Sequence, residues 1–156
     1  MKIAATEEIE IAVARLFDYR RNIIVPNVSW GLGLHECDIL IIRKTGYAIE
    51  VEIKRSLQDL KNDFKKRHKH WSNKIRYFYY AIPDEYYPQW SELIKDAGII
   101  TYELRHEIVY AKIIDRAPPR KCRKLEQSEM LKASHLGCMR IWGLKKRLYN
   151  TMFNIV

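Results

Sequence analysis

The 156-residue chain is expected to fold as an α/β domain with a central mixed sheet. Hydrophobic residues make up 47% and charged residues 30%, near the globular average, which excludes wholesale disorder. Apolar periodicity alternates between helical and strand-like, giving the order helix, three strands, helix, strand, then a smaller α/β appendage. The strongest local signal is a pair of apolar runs around Lys44-Thr45-Gly46, which reads as a β-hairpin.

The first helix is expected over Thr6 to Phe17, capped by Thr6, with Ile9, Ala12, Val13, Leu16 and Phe17 along one stripe. Asn22 to Val28 is β-branched and carries Pro26, as an edge strand would. Gly31 and Gly33 lie in a loop that lacks the Gly-Lys-Ser/Thr needed to cradle a nucleotide phosphate. Asp38 to Arg43 and Tyr47 to Lys54 form the hairpin strands. Ser56 caps a helix expected to run to His70, with Leu57, Leu60, Phe64 and Trp71 on its buried side. Arg76 to Ile82 is a strand stopped by Pro83, and Pro88 to Ala97 reads as a short helix ended by Gly98. Ile99 to Leu104 and Ile108 to Ile113 suggest a second small hairpin. Beyond Pro118-Pro119, Leu125 to Tyr149 reads as a basic helical tail with a weak point at Gly137. The expected division is a domain over residues 1–115 and an extension over 116–156.

Charge is unevenly spread. The net charge of +9 is concentrated in residues 54–76, which hold 9 basic and 2 acidic side chains, and in residues 116–156, which hold 10 and 2. Residues 1–53 and 77–115 are net acidic. Two basic blocks beside acidic ones suggest a polyanion-binding surface next to a site built of carboxylates. No apolar run approaches the roughly 20 residues that span a bilayer, so no membrane association is expected. Cys37, Cys122 and Cys138 are odd in number and form no C-x-x-C pair, which disfavours a disulfide framework or a structural zinc site and fits the cytoplasm.

Hairpin geometry locates candidate chemistry. With a three-residue loop and Gly46 in the left-handed region, Arg43 pairs with Tyr47 and Asp38 falls opposite Glu52. Opposed side chains have Cβ atoms about 4.5–5.5 Å apart, so two carboxylates there call for a cation such as Mg²⁺. Alternation adds Glu50 and Lys54 to the face of Glu52, and Lys54 could orient an attacking water. A two-residue turn would shift the register by one and dismantle the set.

Asp38, a hairpin turn and Glu52-Ile53-Lys54, following a helix that contains Glu10, resemble the PD-(D/E)XK nuclease superfamily. Val51 to Ser56, with Asp59 and Asp63 beyond, is similar to its small MmcB-like and phage-encoded members. The resemblance covers roughly residues 6–83 and implies a restriction-endonuclease-like αβββαβ core. It departs in one place, where Cys37 rather than proline precedes Asp38. It implies Mg²⁺ (or Mn²⁺)-dependent hydrolysis of DNA phosphodiesters in repair, recombination or phage DNA processing. Asp38 and Glu52 would hold metal with the carbonyl of Ile53, Lys54 would align water, and Glu10 would join through a second metal or water. Glu7 is the fallback for Glu10, and Glu8 is less favoured.

Lys61, Lys65, Lys66, Arg67, Lys69 and His70 are candidates for phosphate contacts, and His35 and Glu50 for supporting positions beside the site. The tail cations could clamp a second stretch of DNA. The resemblance also allows a homodimer and sets the protein in a prokaryotic or phage-infected cell. The alternatives are a catalytically inactive nuclease-fold module that binds DNA, and a basic RNA-binding protein.

Overall fold

Six strands form one mixed sheet in the order of the chain. The structure, a computed structural model, describes residues 4–29, 31–66 and 70–153. Its elements are α1 (Thr6–Leu16), β1 (Ile23–Val28), β2 (Cys37–Ile42), β3 (Ala48–Ile53) and α2 (Leu57–Asp63). They continue with β4 (Ile75–Pro83), a 3-10 turn (Asp84–Tyr86), α3 (Tyr87–Trp90), β5 (Gly98–Arg105), β6 (Ile108–Asp115) and α4 (Gln127–Phe153). The pairs β1/β2, β2/β3 and β5/β6 are antiparallel, whereas β3/β4 and β4/β5 are parallel. The chain is therefore α/β, as expected.

The β2–β3 hairpin has the expected register. Ile39 pairs with Val51, Leu40 with Glu50, Ile41 with Ile49 and Ile42 with Ala48. The amide of Gly46 donates to the carbonyl of Arg43 at 2.8 Å, and the amide of Arg43 to that of Tyr47 at 3.0 Å. Gly46 has φ of +85°, which a side chain would strain. One residue beyond the ladder, the same register sets Asp38 against Glu52.

All six β3 residues are buried, because both faces of the sheet are covered. One face packs Ile39, Ile41, Ile49, Val51 and Ile53 against Ile9, Ala12 and Val13 of α1. The other face carries two apolar patches. Leu40, Ile42, Ala48 and Ile75 lie with Ala133 and Leu136 of α4, while Phe78, Tyr80 and Ile82 lie with Leu60, Trp90 and Ile94. Glu50 and Glu52 occupy the β3 positions between them, beside Phe78 and Tyr80 of β4. A strip of ionisable groups therefore crosses an otherwise apolar face.

Several expectations need correction. Ala5, not Thr6, precedes α1 as its cap, and its amide donates to Glu8 at 2.8 Å. Helix α2 stops at Asp63 rather than His70; Ser56 caps it by accepting from the amide of Asp59 at 3.1 Å. Phe64 and Trp71 are exposed rather than buried, and Trp71 lies under the guanidinium of Arg120 at 4.9 Å. Only Tyr87–Trp90 is helical in the segment expected to be helical to Ala97, and Gly98 opens β5.

The second hairpin extends the same sheet through the parallel β4/β5 pairing, so it is no appendage. Helix α4 runs unbroken through Gly137, where a Cβ would make ordinary contact with Val25 of β1 at 3.7 Å. The segment before α4 is woven into the domain. Amides of Arg120, Arg123 and Leu125 donate to carbonyls of Arg76, Asn73 and Gly46, and Ala117, Arg120 and Leu125 are buried. Among the described residues, no helix is long and apolar enough to cross a membrane.

Gly98 marks the tightest approach in the sheet. A Cβ there would lie 2.3 Å from the Tyr79 ring and 2.5 Å from the amide nitrogen of Ala117. Gly98→Ala is expected to destabilise the domain by about 1–3 kcal/mol through overpacking. Gly143→Ala, in open space on α4, should instead be neutral or stabilise by up to about 1 kcal/mol. Urea unfolding of both variants checks the contrast, and an unchanged Gly98→Ala midpoint would refute the close packing.

Candidate functional site

The β2–β3 hairpin and the turn after α2 bring ionisable side chains together at the carboxyl end of β3. Asp38 is the second residue of β2, and its Oδ2 accepts from the Ile53 amide at 2.7 Å. Its own amide donates to Glu52 Oε1 at 3.2 Å. Each carboxylate thus engages the opposite strand's backbone or amide, which fixes the two acids face to face. Glu52 Oε2 accepts from Lys54 Nζ at 3.1 Å, and Lys54 also donates to Asp63 Oδ1 at 2.9 Å. Lys54 is buried at 4% exposure, so its ammonium depends on these two acids for stabilisation.

Asp63 is the hub. Its Oδ1 takes Lys54 and, at 2.6 Å, Lys66; its Oδ2 takes His70 Nε2 at 2.6 Å and the Tyr80 hydroxyl at 2.8 Å. The other nitrogen of His70, Nδ1, lies 2.5 Å from Glu50 Oε1. His35 Nε2 lies 2.8 Å from both oxygens of Glu50. The His70 ring stacks on Phe78 at 4.5 Å. Helix α2 ends at Asp63, and His70, with φ of +54°, sets its ring between Asp63 and the sheet.

Burial, then the neighbouring charge of Asp38, pushes the Glu52 carboxyl up to about 7. Burial likewise raises Asp38, against the opposing pull of the Ile53 amide and Lys54. For Asp63, burial would raise the value, but His70, Lys66 and Lys54 hold it far below the usual carboxylate range. Burial would discharge His70, yet Asp63 and Glu50 outweigh it and hold the imidazole up to about 9. For Lys54, burial is outweighed by Glu52 and Asp63, so the ammonium stays charged. The two imidazoles keep Glu50 below its ordinary value despite burial.

The structure brings together Asp38, Glu52, Lys54, Glu50 and His35 from the sequence-derived set. Glu10 stands further off. It accepts from Asn27 at 3.1 Å, and burial followed by the charges of Glu7 and Asp38 raises its carboxyl. Among the described residues, neither Glu10 nor Asp38 belongs to a group of three ligand atoms lying within 4.8 Å of one another. Glu7 is exposed.

His70 is corrected outright: it is buried between two carboxylates, not a surface contact for phosphate. Lys66 is exposed, and its ammonium sits on Asp63 at 2.6 Å and 3.9 Å from Glu52. Lys61 and Lys65 are exposed, while Arg67 and Lys69 lie outside the described residues.

Sequence reasoning missed Asp63 and Tyr80 as parts of the site. A signal existed for Asp63, which follows Leu60 by three and so shares the helix side facing the sheet. Tyr80 carried none beyond its strand position.

Two groups of three could hold a cation: Glu52 with Asp63 and His70, and His35 with Glu50 and His70. Comparison with known proteins gives a likeness of fold. No family model and no curated protein matches the chain. A solved structure, the SPO1766 protein of unknown function from Silicibacter pomeroyi, superposes with a TM-score of 0.67 at 19% identity. The match covers 93% of this chain and 94% of that one.

Both raised values have the same sign for stability. With His70 held at about 9 against its ordinary 6.5, its contribution is complete below pH 6.5 and is lost as pH rises through 9. Glu52, raised from 4.5 to about 7, also binds a proton more readily when folded, so its ionisation on the way to pH 7 weakens the fold. In EDTA, stability is expected to fall between pH 6 and 9 by on the order of 2 kcal/mol, and His70→Gln should flatten the upper half of that slope. Urea unfolding across this range tests it; stability that is level or rises with pH removes the imidazolium assignment.

Proposed function

We propose that this chain is a metal-dependent nuclease that hydrolyses DNA phosphodiester bonds in the PD-(D/E)XK manner. One observation carries the reading: Asp38 faces Glu52 across the hairpin, with Lys54 hydrogen-bonded to Glu52. Mere surface charge would not be buried on a covered sheet face, where isolated ions cost several kcal/mol.

The donor set fits a hard divalent cation. Asp38 and Glu52 offer carboxylate oxygens, and the repulsion that helps push Glu52 up to about 7 is what a cation would relieve. Mg²⁺ (or Mn²⁺) would be held by Asp38 and Glu52 with the Ile53 carbonyl, and Glu10 would act through water. When bound, the metal supplies Lewis-acid polarisation of a phosphate oxygen and a lowered pKa for bound water.

Lys54 positions the nucleophile. Two of its three N–H donors go to Glu52 and Asp63, and the third is left for a water or a phosphate oxygen. Asp63 is a positioning residue, because His70, Lys66 and Tyr80 pin the carboxylate that aims the ammonium. Lys61 and Lys65, exposed beside the site, would contact the DNA backbone without reading sequence.

A second reading, a nuclease-like DNA-binding module without turnover, has one observation in its favour: Lys54 is already clamped by two carboxylates.

Plasmid and branched DNA, incubated with Mg²⁺ or Mn²⁺ against EDTA, separate the two. Cutting should require metal, and Lys54→Ala should lower its rate by roughly 100-fold or more while DNA affinity stays within a few-fold. Asp63→Asn should lower the rate less, by about tenfold, with the same affinity. Intact binding without cleavage of any substrate would transfer the conclusion to the accessory module, and a preference for RNA hairpins would remove both readings. Replacing Lys61 and Lys65 together by Ala should reduce the slope of log affinity against log salt by about two. An unchanged slope would place the DNA elsewhere.

A further inference from the structure

We propose that His35, Glu50 and His70 form a separate site for a borderline-soft divalent cation of the Zn²⁺ class. None of its ligands is Asp38, Glu52 or Lys54, and its one link to the nuclease reading is His70, which also pins Asp63. Their ligand atoms all lie within 4.8 Å of one another. His35 Nε2 is 2.8 Å from each oxygen of Glu50, and His70 Nδ1 is 2.5 Å from Oε1. The two imidazole rings meet at 82° with centroids 5.2 Å apart, so their nitrogens converge on the carboxylate from different directions.

Donor chemistry sets the class of ion. Two imidazole nitrogens with one carboxylate suit Zn²⁺ and its neighbours, whereas Asp38 and Glu52 offer oxygen alone and suit Mg²⁺. The surroundings match those of a metal-bound histidine. His70 Nε2 faces Asp63 Oδ2 at 2.6 Å, and that oxygen also accepts from the Tyr80 hydroxyl. The Asp63 carboxylate behind the ring holds the proton on Nε2, and the ion would displace the proton from Nδ1. The His35 side chain is 9% exposed, which opens a route from solvent to an otherwise buried set.

The competing trio of Glu52, Asp63 and His70 is less suited. Lys54 and Lys66 already place ammonium groups against both of its carboxylates. Among the described residues, no lysine or arginine is ion-paired with Glu50, whose partners are the two imidazoles.

Calorimetric titration of EDTA-stripped full-length protein with Zn²⁺, with Co²⁺ as a spectroscopic probe, tests this. One equivalent should bind with a dissociation constant in the micromolar range or below, with ligand-field bands of a low-coordinate Co²⁺ site. His35→Ala should weaken binding by more than roughly tenfold, and Asp38→Asn should leave it unchanged. Because His35→Ala could disturb the fold, zinc X-ray absorption on the unmutated protein gives an independent readout of two imidazoles in the shell. Failure to bind Zn²⁺, an all-oxygen shell, or binding abolished by Asp38→Asn would each overturn the site. Zn²⁺ binding is read without Mg²⁺ or DNA, so its failure is distinguishable from a failure of cleavage, which is read in Mg²⁺.

Discussion

The antiparallel register of β2 and β3 is the constraint on which the rest of this structure depends. It commits Glu50, Glu52 and Lys54 to the inside of a sheet covered on both faces. Burying such groups singly costs several kcal/mol each, so the fold must supply counter-charges from elsewhere in the chain. It does so from the crossover between β3 and β4, where Asp63, Lys66 and His70 close around the strand charges. The outcome is a connected network rather than isolated pairs.

Such a network is a poor device for stability alone. Well-packed apolar residues at the same positions would serve as well or better, because desolvation consumes much of the Coulombic gain. Glu52 illustrates the point. It is held by Lys54 and by the Asp38 amide, yet burial and the neighbouring acid still push its carboxyl up to about 7. That electrostatic load is what the proposed cation would relieve. Asp63 shows the opposite balance, with donors enough to keep it charged throughout, as suits a group that holds others in place.

The basic C-terminal segment has a structural role as well as its charge. Residues 117–125 run across the sheet, and Arg120 donates to the carbonyls of His70 and Asp96 while its guanidinium packs on Phe78. His70 is therefore held from behind by a residue 50 positions later in the chain. Helix α4 then closes the β1 edge through Ala133, Leu136 and Gly137, and its C-terminal turns leave Trp142 and Leu148 exposed beside Lys145, Lys146 and Arg147.

Local sequence determined what depends on local physics. Gly46 in a three-residue loop sets the hairpin register, and that register alone puts Asp38 against Glu52. Alternation places Lys54 on the face of Glu52, and Pro26 marks β1 as an edge. Only the tertiary structure decided the partners of these charges. Basic residues from Lys61 to His70 read as one exposed helical face, but α2 ends at Asp63 after two turns. His70 lies in the core and Lys66 at the rim, held by the carboxylates of Glu50 and Asp63 rather than placed by helical periodicity. The second hairpin joined the main sheet for a related reason: parallel pairing of β4 with β5 is a long-range contact that no local pattern encodes. Short-range geometry was thus readable residue by residue, while the compensation of buried charge required the whole fold.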